Sequence, residues 1–180
     1  MRPNPFLLVG AGALAAAIVA VAAAGVGHAD VQQKADAPTP TFVKKIPRGY
    51  RDWRLVSVAR EEGDLRDIRA ILGNDKAITA YRAGKLPFPE GTIIARLAWE
   101  HLPSAENNAT FGKDQSFIAG EPKNGVQFMV KDSKKYAATG GWGYAHFDDG
   151  KSASDEVLQT CFPCHEAVAA RDYIFTRYSR

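Results

Sequence analysis

The sequence predicts an α+β fold: an antiparallel β-sheet with a few short helices and a paired-cysteine motif close to the C-terminus. Apolar residues alternate with polar or small ones in short runs, most clearly over 92–99 and 142–147. Short stretches rich in Gly, Pro, Asn and Asp separate these runs, as turns between adjacent strands would. Helical periodicity is confined to brief segments. Five or six strands and two or three short helices follow, a pattern of the antiparallel α+β kind.

The elements justify this in order. Trp53, Leu55 and Ser57 alternate with Arg54, Val56 and Val58, a strand after a short helical turn, and 61–64 is a charged loop. A second strand over 68–72 closes at Gly73-Asn74. Asn74 can cap a helix over 75–83 that turns Ala77, Ile78 and Tyr81 to one side, and Gly84 ends it. Residues 87–91 form a turn, and 92–99 is the clearest strand. The polar stretch 103–112 reads as loop. Strands at 117–119 and 126–130 read as a hairpin across a 120–125 turn, and 131–135 starts a short helical turn. Gly140-Gly141 precedes a strand with Trp142, Tyr144 and His146 on one face and Gly143, Ala145 and Phe147 on the other. Asp148-Asp149-Gly150 is a tight turn. Ser152 or Ser154 can cap a helix over 155–160, and the aromatic tail carries Tyr173, Phe175 and Tyr178.

That last helix delivers Cys161-Phe162-Pro163-Cys164-His165, which holds both cysteines of the chain. Cys-x-x-Cys-His is the pattern of c-type haem attachment. Each thiol adds to one vinyl group of the porphyrin, and the next residue offers an imidazole to the iron as proximal ligand. A structural zinc site wants four ligands, of which cysteine here supplies two. A thioredoxin-like dithiol wants a βαβ setting, and a disulfide across two residues is strained. The reading is one covalent haem c, with Cys161 and Cys164 as thioether donors and His165 as metal ligand.

Residues 1–29 carry Arg2 as their only charge, then an apolar run over 6–26, then Gly27-His28-Ala29. Basic start, apolar middle and small-x-Ala end are the parts of a secretory signal peptide. The run also reaches the roughly 20 residues that span a bilayer, so an uncleaved anchor is the alternative. Lys34, Lys44 and Lys45 follow it, which speaks against holding that side inside. Cleavage after Ala29 and a periplasmic location are expected, matching the oxidising compartment in which thioether cytochromes mature. Residues 30–47 are polar and spaced by proline, a linker, and 48–180 form one domain large enough to bury its own core. With 23 basic and 20 acidic side chains the net charge is +3, and the basic residues form no patch of the kind nucleic acid requires.

Tyr50-Arg51-Asp52-Trp53, Phe88-Pro89-Glu90-Gly91-Thr92, Val130-Lys131-Asp132-Ser133-Lys134, the strand 142–147, the haem motif and the tail 172–178 resemble, in order and spacing, the cytochrome P-460 family, which includes the cytochromes c′-β. The resemblance implies an antiparallel sheet with helices, a homodimer, and a five-coordinate haem with His165 proximal and the distal side open. Hydroxylamine-oxidising members cross-link a strand lysine to the porphyrin; the matching position here is Arg96, whose guanidinium is a poor substitute for that amine. They also use a distal carboxylate as proton relay; the matching position is Gln127, which donates and accepts hydrogen bonds but is no base at neutral pH. Both departures point toward binding of a small gaseous or N-oxide ligand such as nitric oxide. Oxidation of hydroxylamine or nitric oxide, with electrons passing to a cytochrome redox partner, is the alternative. By periodicity alone Arg96 is equally a solvated strand charge or a cation aimed at a haem propionate or an iron ligand. Plain electron transfer would want a second strong axial ligand from Met129, His101 or His146; of these Met129 reads as core, His101 as exposed at a strand end, and His146 as the one worth testing.

Overall fold

The computed structural model describes residues 42–179; the leader and most of the linker lie outside the described residues. Six strands form one sheet in chain order, every neighbour antiparallel: β1 (Arg54–Glu61), β2 (Asp67–Gly73), β3 (Ile93–Pro103), β4 (Phe117–Lys131), β5 (Trp142–Asp148) and β6 (Lys151–Ser152). The α-helices are α1 (Asp75–Ala83), α2 (Ala105–Phe111), α3 (Asp155–Gln159) and α4 (Cys161–Glu166), with single 3₁₀ turns at Tyr50–Asp52, Ala137–Thr139 and Ala169–Arg171. The predicted α+β class and antiparallel sheet are what the chain forms.

Alternation gives the sheet two faces with separate cores. Ile71, Ile94, Trp142 and Tyr144 bury one face, together with Ala77, Ile78 and Ala80 of α1, Phe88 and Ile174. Cys161, Phe162 and Tyr173 pack at the edge of this core, so the haem motif lies against that face. Ala95, Leu97, Phe128, Ala145 and Phe147 bury the other, covered by Val43, Ile46, Tyr50 and Trp53. Residues 42–47, which composition assigns to the linker, are therefore packed: Phe42 is buried and the Val43 N–H donates to the Tyr144 carbonyl at 3.0 Å. This also covers the stretch of β5 that β6 is too short to reach.

Three expectations are corrected. Residues 117–130 are one continuous strand, not a hairpin across 120–125. Pairing runs from Pro103 opposite Phe117 to Ile93 opposite Val130, with irregularities at Leu97/Trp99 and Trp99/His101. Bulges take up the turn-prone residues: Pro122 lies opposite Trp99, while Asn124 (φ 57°) and Gly125 (φ 51°) adopt the left-handed region there. The hairpin turn instead lies between β3 and β4, where the expected loop 103–112 contains α2. Ser104 caps it by accepting from the Asn107 N–H at 3.3 Å, and Gly112 closes it in the left-handed region. In consequence His101 lies within β3, half-buried and stacked on Phe117 at 4.0 Å, rather than exposed at a strand end.

α1 has the predicted ends. The Asn74 carboxamide oxygen accepts from the Ala77 N–H at 3.0 Å and the Ile93 N–H at 3.2 Å, and its amide donates to the Gly91 carbonyl at 2.8 Å. One side chain thus caps the helix and ties it to β3. Replacing Asn74 with alanine should cost about 2 kcal/mol of unfolding free energy, more than a simple cap, because the Ile93 donor also loses its partner. Denaturant titration measures this; a loss under about 0.5 kcal/mol would mean water replaces all three bonds.

Candidate haem site

Ser154 caps α3, and the chain passes through Thr160 into α4 without a break, so Cys161, Cys164 and His165 sit on one short helix. Cys161 is half-buried and Cys164 exposed, and neither is in a disulfide. Burial pushes the Cys161 thiol above its ordinary pKa, and Cys164 adds to the effect.

His165 is set by its neighbours. Its Nδ1 lies 2.7 Å from the Tyr173 carbonyl oxygen, which can only accept. Nδ1 therefore carries the proton, and the Nε2 lone pair is left for a metal. Burial lowers the imidazole pKa, with the carbonyl contact opposing, so the ring is neutral at pH 7. The ring lies 5.1 Å from both Tyr144 and Phe175, centroid to centroid. The Tyr173 carbonyl owes its direction to an uncommon backbone. Asp172 (φ 52°) and Tyr173 (φ 64°) are consecutive left-handed residues, neither of them glycine. Asp172 is buried; its Oδ1 accepts from Lys131 Nζ at 2.7 Å and its Oδ2 from the Phe88 N–H at 2.8 Å. Gly140 leaves room for the Tyr173 ring, which a Cβ there would meet at 2.3 Å.

The facing strands bring the distal candidates together. Ile71, Arg96, Gln127 and His146 occupy one cross-strand row, next to the row of Ile94, Met129 and Tyr144. Arg96 and Gln127 are direct partners on the face that carries Tyr144 and the haem motif. Met129 packs against the same core, and His146 is half-buried beside Gln127. Sequence reasoning missed what holds Arg96. Asp67, fully buried, accepts from Arg96 Nη2 at 2.6 Å and from Arg69 Nε at 2.9 Å, and Arg69 also reaches Glu61 at 3.0 Å. Burial, then the nearby Arg69, pull the Arg96 pKa below its usual value, while Asp67 and Glu61 hold it up. The alternation Asp67, Arg69, Ile71 was the available signal, but the Arg96 partner lies 29 residues on.

This chemistry fits a haem. Two thiols and a neutral imidazole with a free nitrogen lie on one helix. On the facing sheet, the Tyr144 hydroxyl and Arg96 Nη1 are buried without a partner, polar atoms that call for a neighbour. Which residues would hold the group follows: Cys161 and Cys164 as attachment points and His165 toward iron. The buried Asp67 also makes a stability prediction. Asp67→Asn should lower unfolding free energy by about 3 kcal/mol, since two guanidiniums lose a shared counter-charge, whereas Glu62→Gln in the exposed Arg60–Glu62 pair should cost almost nothing. Equal effects in paired denaturant titrations would mean water enters the Asp67 site.

A search of curated proteins finds no match to the chain. The family model described as Cytochrome P460 matches residues 47–176, covering every strand and the haem motif. The chain therefore belongs to the cytochrome P460 family and is a haem c cytochrome.

Proposed function

We propose that this is an exported mono-haem c-type cytochrome, with thioethers at Cys161 and Cys164, His165 as proximal ligand and a fifth-only coordination that leaves the distal side open to a small ligand such as nitric oxide. A haem held by Cys161, Cys164 and His165 would supply an iron able to take such a ligand. The observation that carries the reading is Arg96 Nη1, buried and unpartnered on the sheet face beside the haem motif. A donor in that state suits a ligand with an acceptor atom. Asp67 fixes the guanidinium, and Gln127 beside it donates or accepts; neither Arg96 nor Gln127 takes up a proton at neutral pH. That supports binding over proton-coupled oxidation. Export to the periplasm rests on the leader pattern of 1–29, and homodimerisation on the family resemblance.

A second reading has one observation in its favour. His146 follows Gln127 in the same row and is an imidazole able to accept protons, as oxidation of hydroxylamine or nitric oxide with electrons leaving to a cytochrome acceptor would require. The absorption spectrum of the reduced protein separates the readings. A high-spin pattern that changes on adding nitric oxide is expected; a low-spin six-coordinate pattern without added ligand would sink the proposal in favour of electron transfer. A strongly red-shifted Soret band would signal a porphyrin cross-link and favour oxidation. His165→Ala should keep haem on the Cys161–Cys164 peptide, seen by mass after proteolysis, while altering the iron's spectrum. Unchanged ligation would remove His165 from the proximal role.

A further inference from the structure

The contact that fixes the His165 tautomer is held in place by residues that do not themselves hydrogen-bond to His165. The Tyr173 carbonyl belongs to a left-handed pair, Asp172 and Tyr173, and such conformations persist in residues other than glycine only where the surroundings over-determine them. The surroundings here are specific. Asp172 accepts from Phe88 N–H at 2.8 Å and from Lys131 Nζ at 2.7 Å. Both side chains of that ion pair are nearly sealed from solvent, at 5% and 8% exposure. Lys131 Nζ also reaches the Gly140 carbonyl at 3.3 Å and sits 5.0 Å above the Trp142 ring. Gly140 in turn is the residue whose missing Cβ admits the Tyr173 ring.

A buried pair of this kind is weak support for stability as such, because desolvating both charges offsets much of their attraction. What it does supply is direction. Freed from Lys131 and Phe88, Asp172 would relax toward the ordinary right-handed or extended regions, and the next peptide group would rotate with it. The carbonyl that accepts from His165 Nδ1 belongs to the residue that follows.

We propose that Lys131 and Asp172 are positioning residues for the proximal ligand. Their ion pair holds the Asp172–Tyr173 turn so that the Tyr173 carbonyl accepts from His165 Nδ1–H, raising the basicity of Nε2 toward iron. Partners that orient a ligating histidine commonly tune its metal in this way. The inference rests on His165 being the proximal ligand.

The test uses the full-length haem-loaded protein and the iron–histidine stretching band in the resonance Raman spectrum of the ferrous form. Lys131→Met and Asp172→Asn should each move that band to lower frequency, because a slackened hydrogen bond removes imidazolate character from His165. The double variant should move it no further than either single one, since both act through one contact. The exposed Lys134→Gln should leave it in place. Asparagine tolerates the left-handed region and keeps the size of aspartate, so Asp172→Asn decides the matter if Lys131→Met does not fold. A folded Asp172→Asn protein with the wild-type frequency would overturn the proposal. A wild-type spectrum with no iron–histidine band would instead remove the proximal assignment beneath it, a failure distinct from that of the ion pair.

Discussion

The Asp172 carboxylate ties the C-terminal tail to two parts of the chain that already pair with each other, the end of β4 and the turn before β3. It accepts from Lys131 at the end of β4, accepts from the backbone of Phe88 in the turn before β3, and belongs itself to the C-terminal tail. The tail needs such a tie. After Ala169–Arg171 its described residues have no regular structure, and beyond those of Asp172 and Tyr173 its hydrogen bonds to the rest of the domain are few: Ser179 to the Val56 carbonyl and the Ser57 hydroxyl, and the contacts of Tyr178 and Thr176 with α1. Two left-handed residues cost on the order of 1–3 kcal/mol each. Aspartate is at the low end of that range and tyrosine is not. The burial of Ile174 and the stacking of Tyr178 on Tyr81 at 6.0 Å offset that cost. The ion pair selects which of the tail's conformations that burial stabilises.

The two faces of the sheet divide the work. The face covered by Val43, Ile46, Tyr50 and Trp53 is aliphatic and aromatic, and includes Tyr50 edge-on to Phe128 at 5.1 Å. Its described contacts are those of a packed core. The other face mixes Ile94 and Trp142 with Tyr144, Gln127 and Arg96, and Arg96 Nη1, Trp142 Nε1 and the Tyr144 hydroxyl are buried there without a partner. A face that only filled a core would not keep such atoms, since each unpaired one costs about 1–3 kcal/mol. A group bound on this face could supply the partners these atoms lack.

How much of this was legible in the sequence depends on the range of the interaction. α1 was readable end to end because Asn74 and Gly84 act on their own neighbours. The faces of β5 were readable because alternation is local. The 117–131 strand was misread because Gly120, Pro122 and Gly125 carry strong local turn preferences, and the pairing with β3 that overrides them is not local. α2 was hidden by Asn107 and Asn108, poor helix formers, although Ser104 as a cap was a usable sign. In the site, Cys161, Cys164 and His165 announce themselves by spacing. Asp67 with Arg96 and Lys131 with Asp172 are separated by 29 and 41 residues, and no pattern in a single sequence pairs charges at such distances.

The placement of charge around the site narrows the chemistry the fold can support. Asp67, a buried carboxylate on the same sheet face as Arg96, is held by two guanidiniums, and such pairing occupies its lone pairs. It cannot serve as a relay without breaking the contacts that hold Arg96. Arg96 keeps one nitrogen unpaired but never gives up its charge at physiological pH. The row therefore offers fixed donors and one imidazole, His146, at its far end. Fixed donors stabilise a ligand that stays; turnover through proton loss needs a base close to the reacting atom. The proposed binding role follows from that asymmetry: the positions where an oxidising relative would present an amine and a carboxylate here present groups that hold hydrogen bonds and do not move protons.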